Sequence, residues 1–129
     1  MDAFTTPGAF SWSELTTPDP RAAAEFYGAL FGWTFDPMQM PDSVYHVIKL
    51  GDTAVGGIMS TPPTAAGMPP MWGCYVTVAD ADATAKRCVE LGGKVVVGPQ
   101  DVPGVGRFAV ILDRQGAALN IIAYTPMPG

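Results

Sequence analysis
At 129 residues, 48% of them hydrophobic and 15% charged, the chain has the size of one compact domain with a real core and is too short for two ordinary ones. A net charge of -5 excludes a general polyanion binder, because nucleic-acid affinity rests on clustered Lys and Arg, and the seven present are scattered. No window approaches the roughly 18 apolar residues of a membrane span, and the opening MDAFTTPGAF lacks the basic and apolar runs of a signal peptide, so a cytoplasmic protein with no membrane partner is expected.

FSWSELT alternates apolar and polar residues and reads as the first strand. Residues 20–31 read as a helix: Asp19 can accept the free N–H groups of the first turn, Pro20 sits where a missing N–H costs nothing, and Gly32 stops it. Its apolar positions Ala23, Phe26, Tyr27, Leu30 and Phe31 recur at three and four, so this stripe is expected against a sheet, with Phe26 and Phe31 in the core. WTFDPM, YHVIKLG and TAVGGIMS follow as three short strands. Residues 36–44, rich in Pro and Met, read as a loop in which Met38 and Met40 form either a soft lid or an ordinary exposed turn. Residues 60–70 carry four prolines and no apolar period, which marks a connector. Beyond it MWGCYVTV is a strand, DADATAKRCVELGG a capped helix with Leu91 in the core, and GKVVVG, RFAVILD and AALNIIAY are three more strands.

The two halves are therefore both β-α-β-β-β, over about 8–60 and 71–125, within a single domain. The repeat holds at a fixed offset through Thr16 and Thr77, Asp19 and Asp80, Ala22 and Ala83, Ala24 and Ala85, Leu30 and Leu91, and Gly32 and Gly93. Half of such a repeat buries too little surface to stand alone, so the two pair. Cys74 and Cys88 have neither disulfide nor zinc spacing and are expected as buried free thiols of a reducing compartment.

PDPRAAAEFYGALFGW in the first half and WGCYVTVADADATAKRCVELGG in the second resemble the vicinal oxygen chelate superfamily, which includes glyoxalases and bleomycin resistance proteins, over roughly residues 8–125. The resemblance implies an α+β fold in which eight strands of a mixed sheet form a cup with the helices outside, and often a homodimer. Most enzymes of that superfamily hold a divalent metal in the cup through His, Glu or Gln on four strands. Counting from the capped helices and the last strand, those positions fall on Trp12, Gly57, Gly73 and Asn120. The one histidine, His46, lies elsewhere, and Glu14 and Asn120 are the plausible oxygen donors nearby. A catalytic site needs about three ligands of suitable type, so no metal and no other cofactor is expected.

In place of a metal, alternation puts Phe10, Trp12 and Glu14 on one face of the first strand and Met71, Gly73 and Tyr75 on the same face of its repeat partner. With Gly57 leaving the backbone bare and Met59 and Asn120 beside it, the expected cup is a slot for a flat apolar molecule stacked on Trp12. Trp72 should face the other way, into the core or a dimer contact, and the direction of Trp33 and Phe35 is left open. Glu14 either enters the cup as a general base or pairs with Arg107 or a dimer neighbour. His46 is either its acid-base partner or an ordinary strand histidine. Asn120 can orient a carbonyl oxygen by hydrogen bonding. The leading expectation is a metal-independent protein that sequesters a small aromatic or cationic molecule, a natural product or antibiotic, in self-resistance. The alternative is a metal-independent isomerase, cyclase or lyase of secondary metabolism using Glu14.

Overall fold
Each half of the chain opens with a strand that runs into a helix capped by an aspartate, as its sequence requires. The computed structural model describes residues 1–40, 43–63 and 67–125. Along the chain lie β1 (Phe10–Thr17), α1 (Pro20–Phe31), β2 (Thr34–Gln39), β3 (Val44–Leu50) and β4 (Thr53–Ser60). The second run is β5 (Met71–Thr77), α2 (Ala81–Glu90), β6 (Lys94–Val102), β7 (Gly106–Leu112) and β8 (Ala118–Tyr124). The fold is α+β, with an eight-stranded mixed sheet. Residues 41–42 of the expected Met-rich loop and 64–66 of the expected connector lie outside the described residues.

The chain divides into two compact units, Trp12–Gly73 and the remainder. In the first, the strands order as β2-β3-β4-β1, with β1 parallel to β4 and the other pairs antiparallel. Leu15, Ile48 and Ile58 are buried on the face toward α1, packed by Ala23, Ala24, Tyr27, Trp33 and Phe35. That settles the direction of Trp33 and Phe35: both point toward the helix side. In the second unit the order is β5-β8-β7-β6, and Ala81 and Ala85 of α2 are buried, as are Ala109 and Ile121.

The caps repeat as expected. The Asp19 carboxylate accepts from the Ala22 N–H and that of Asp80 from the Ala83 N–H, each at 3.0 Å, contacts worth about 1 kcal/mol apiece. The stops do not repeat. Gly32 ends α1 in the left-handed conformation, whereas after α2 the left-handed residue is Gly92, one position earlier than the sequence pairing of Gly32 with Gly93. Gly93 serves a different need, because a Cβ there would stand 2.6 Å from both the Cys88 Sγ and the Leu112 carbonyl.

Three further expectations are corrected. Phe26, Phe31 and Leu91 are not core residues but are 60%, 55% and 47% exposed. The sheet-facing stripe of each helix is carried mainly by alanines, half-buried Ala23 and Ala24 on α1 and buried Ala81 and Ala85 on α2, which let the helix lie close to the sheet and leave the bulkier neighbours on its flank. Cys74 is exposed and Cys88 half-buried, because Cys74 falls on the alternate side of a strand from Gly73 and Tyr75. The expected loop from 36 is shorter than its composition suggests: Asp36–Gln39 belong to β2 and pair with Val44–Val47 of β3. Among the described residues no helix is long and apolar enough to cross a membrane.

Candidate functional site
Strand register gathers the first group of expected site residues in the Trp12–Gly73 unit. Glu14 lies opposite Gly57 across β1 and β4, and Gly57 lies opposite Val47 across β4 and β3. These residues alternate with the buried Leu15, Ile58 and Ile48, so they share the face turned away from α1. Trp12 and Glu14, two apart on β1, are both half-buried there. Met59 lies on the same face of β4, opposite Thr16.

The residue that organises this face is Tyr45, which the sequence reading passed over. Its hydroxyl accepts a hydrogen bond from the Trp12 Nε1–H at 2.9 Å and donates one to the Glu14 Oε2 at 2.6 Å. The second distance is in the range of charge-assisted O–H···O⁻ bonds, the stronger kind. The ring passes directly over Gly57, and a Cβ on that residue would fall onto the phenol oxygen and its ring carbons. Gly57 is thus bare for the protein's own tyrosine, a correction to the expectation that the gap serves a bound molecule. Met38, opposite Tyr45 across β2 and β3, extends the same face, which makes it a strand residue beside the site rather than a loop-borne lid. At the margin, Lys49 and Asp36 form an ion pair at 3.3 Å.

His46 does not join this group. It lies opposite the buried Ile58 and so projects to the α1 side, which removes it as an acid-base partner of Glu14. The signal that identifies Tyr45 instead is adjacent in sequence, and one residue along a strand decides which face a side chain occupies. The Arg107 guanidinium forks onto Asp82, at 2.7 and 3.0 Å, and reaches Asp101 at 3.1 Å. The Arg107 hydrogen bond is the main cause holding the Asp82 carboxyl below its usual range. Both partners are largely exposed, so the cluster fastens α2 to β7 weakly.

In the other unit the repeat places Tyr75 where β1 has Glu14, and Tyr75 lies opposite Asn120 across β5 and β8. Asn120 lies in turn opposite Val110. A phenol and a carboxamide, both half-buried, thus share one face there. Met71, exposed, and Gly73, half-buried, stand at the start of β5 and belong to the Trp12–Gly73 unit. Phe10, at the start of β1, is 69% exposed.

Trp72 takes the other course expected of it, away from the Trp12 face. Its Nε1–H donates to the Tyr27 hydroxyl at 3.2 Å, and its ring meets Tyr27 and Trp33 edge-on at centroid separations of 5.3 and 6.1 Å. Together with Phe31, these rings wall an open groove of about 550 Å³ beside α1. A second open groove, of about 740 Å³, runs along α2 past Cys88 and Arg114. Neither is lined by Trp12, Glu14 or Tyr45.

The metal positions implied by resemblance are tested by the donor chemistry of the Trp12–Gly73 unit. The indole of Trp12 has only a bound N–H and no lone pair to give. Position 57 has no side chain and its space holds the Tyr45 ring. Gly73 offers no ligand. Among the described residues no three His, Cys, Asp or Glu come together in a way that could hold a metal ion. Among the described residues, those at positions 12, 57 and 73 do not fit a metal.

The family model for the glyoxalase/bleomycin resistance protein/dioxygenase superfamily matches residues 9–121. CFP32 of Mycobacterium tuberculosis (strain CDC 1551 / Oshkosh), whose name assigns it provisionally to the glyoxylases, is 42% identical over 120 residues, covering 92% of this chain and 45% of its own. The anthracycline biosynthesis protein DnrV of Streptomyces peucetius is 37% identical over 136 residues, covering 95% of this chain and 50% of its own. The chain therefore spans about half the length of these relatives. Among solved structures, a methylmalonyl-CoA epimerase from Mycobacterium tuberculosis superposes with a TM-score of 0.69 at 16% identity, covering 95% of this chain and 92% of that one. A hypothetical protein, BH1468, from Bacillus halodurans C-125 superposes with a TM-score of 0.73 at 8% identity, covering 96% and 99%. At these identities the structural likeness concerns the fold.

Proposed function
The chain belongs to the glyoxalase/bleomycin resistance protein/dioxygenase superfamily, and from that premise we propose that it binds a planar aromatic natural product without a metal, sequestering it as the metal-free drug-binding members do. The observation that carries the reading is the Tyr45 ring over Gly57, tied to Trp12 and Glu14. Two of the positions at which resemblance puts metal ligands are there given over to an aromatic wall. Such a wall holds a flat molecule by stacking, with a few polar groups fixing its orientation. The name of DnrV, an anthracycline biosynthesis protein, supports an aromatic polycyclic ligand. A homodimer in the cytoplasm completes the proposal, in keeping with the superfamily's habit of pairing.

A second reading has one observation in its favour. Glu14 is not an isolated carboxylate, because the Tyr45 hydroxyl is bonded to it, and a carboxylate joined to a phenol can pass a proton to or from a bound substrate. The chain would then be a metal-independent isomerase, cyclase or lyase with Glu14 as the base. Glu14→Gln separates the two. For a binder, the substitution changes affinity for the ligand by less than about tenfold and no turnover occurs in either form. For an enzyme, turnover falls by about a hundredfold to ten-thousandfold while binding is nearly unchanged. The second pattern would overturn the first reading.

A further inference from the structure
The two helices repeat one another in their caps but not in their surfaces. Within Ala81–Glu90, α2 carries Asp82, Lys86, Arg87 and Glu90, the mixed charge of a helix that faces water. In α1 the charged residues are Arg21 and Glu25, and from Phe26 to Phe31 there is none. No residue of α1 is buried all the same, and Phe26, Leu30 and Phe31 are 60%, 59% and 55% exposed. Trp72, 41% exposed, joins them through Tyr27, whose ring centroid lies 5.1 Å from that of Phe26, 6.2 Å from Phe31 and 5.3 Å from Trp72. At about 200 Å² for each large side chain, the exposed halves of these four leave roughly 400 Å² of contiguous apolar surface, in the range at which a patch signals an interaction. That is about half of the roughly 800 Å² each partner commits to a standard interface, the share expected of an apolar core inside a polar rim.

We infer that two copies of the chain pair through this face. On each copy Phe26 and Leu30, one turn apart on α1, form a ridge beside the open groove of about 550 Å³ that Tyr27, Phe31, Trp33, Val55 and Trp72 line. A two-fold axis across the face sets the ridge of each copy into the groove of the other, the self-complementary arrangement that an isologous dimer requires. Charge favours the same contact. Each copy has a net charge of -5, so pairing is least opposed where neither copy brings a charge to the contact, as on this ridge and groove. The inference rests on the homodimer of the reading above and goes beyond it by placing the contact on the α1 side of the sheet. Trp12 and Glu14 belong to the other side, so pairing and ligand binding do not compete.

Sedimentation equilibrium measures the dimer Kd of the wild type, Phe26→Glu, Leu30→Glu and, as a control, Val89→Glu, which puts the same charge at a 56% exposed position of α2. The wild type should be a dimer. Phe26→Glu and Leu30→Glu should each raise Kd by about a hundredfold or more, because the two-fold axis buries every new charge twice. Val89→Glu should leave Kd within about threefold. The altered side chains are exposed in the single chain, so all three variants should keep the wild-type circular dichroism spectrum. Raising the salt from about 50 to 500 mM should leave the wild-type dimer as tight or tighter, since it screens the repulsion between two acidic chains and not an apolar contact. A readout that needs no variant accompanies these: diluting the wild type below its Kd uncovers Trp33 and Trp72 and should increase acrylamide quenching of tryptophan fluorescence. A wild type still monomeric at about 100 μM would overturn the inference together with the homodimer. A dimer that Phe26→Glu and Leu30→Glu weaken no more than Val89→Glu does, one that salt dissociates, or one whose dissociation leaves the quenching unchanged would overturn the inference alone and move the contact to another face.

Discussion

Gly57→Ala is the most informative perturbation of this chain, because it adds one methyl group to a space that a named side chain already fills. Gly57 sits between Glu14 and Val47 in the middle of its sheet, and its φ is not among the positive ones, so alanine suits the backbone. The methyl cannot coexist with the Tyr45 ring where it stands. Forcing such an overlap costs about 1–3 kcal/mol. If Tyr45 swings away instead, the protein loses a neutral hydrogen bond worth about 0.5–1.5 kcal/mol and a charge-assisted one worth about 1.5–3 kcal/mol, less what water restores at a half-buried site. The cheaper route sets the loss, at about 1–3 kcal/mol. With Tyr45→Ala already present the space is open, and replacing glycine by alanine should then be neutral or stabilise by up to about 1 kcal/mol through the unfolded chain. Urea unfolding of the four proteins in this cycle measures a coupling of about 1–4 kcal/mol between positions 45 and 57. An equal penalty for Gly57→Ala in both backgrounds, or none in the wild type, would refute the account of why position 57 is glycine.

Trp12→Ala should weaken binding of a planar aromatic ligand by about 1–3 kcal/mol in a fluorescence or calorimetric titration, the range for removing a stacking anchor; unchanged affinity would move the site elsewhere. The Arg107 hydrogen bond depresses the folded-state pKa of Asp82, so the stability this pair supplies is present above the ordinary carboxylate value of about 4 and is lost as the pH falls through the lower folded value. Arg107→Gln should therefore differ most from the wild type in denaturant midpoint near neutral pH and low salt, converge with it as the medium becomes acid, and converge again at high salt. A gap that stayed constant down to acid pH would show that the pair does not act electrostatically.

The elements were legible because their signals are local. Asp19 with Pro20, and Asp80 ahead of an alanine-rich run, announce two helix starts without reference to anything distant, and alternation along FSWSELT places Trp12 and Glu14 together. The bare stretch at Gly57 was also visible, but its meaning was not. A glycine in a strand marks the close approach of something, and a ligand and a protein ring leave the same trace. Choosing between them needs the register of β3 on β4, a long-range property that the flanking turns do not specify. The same register decides between His46 and Tyr45. Histidine draws attention by its chemistry, yet the β3–β4 pairing sends it to the α1 side and puts its neighbour at the site. The helix flanks were misread for another reason: periodicity identifies a stripe but not its edge, and Phe26 and Phe31 lie just beyond the edge held by Ala23, Ala24 and Tyr27.

The central claim is aromatic binding without a metal, and a single titration tests it most directly. The protein is stripped in EDTA, and quenching of tryptophan fluorescence by 1-naphthol is followed in EDTA and again after adding Zn²⁺, Mn²⁺ or Ni²⁺, with elemental analysis of the washed protein. The account predicts the same Trp12-dependent affinity under every condition and well under one retained metal ion per chain. Binding that vanishes in EDTA and returns with one equivalent of a tightly held metal would contradict it.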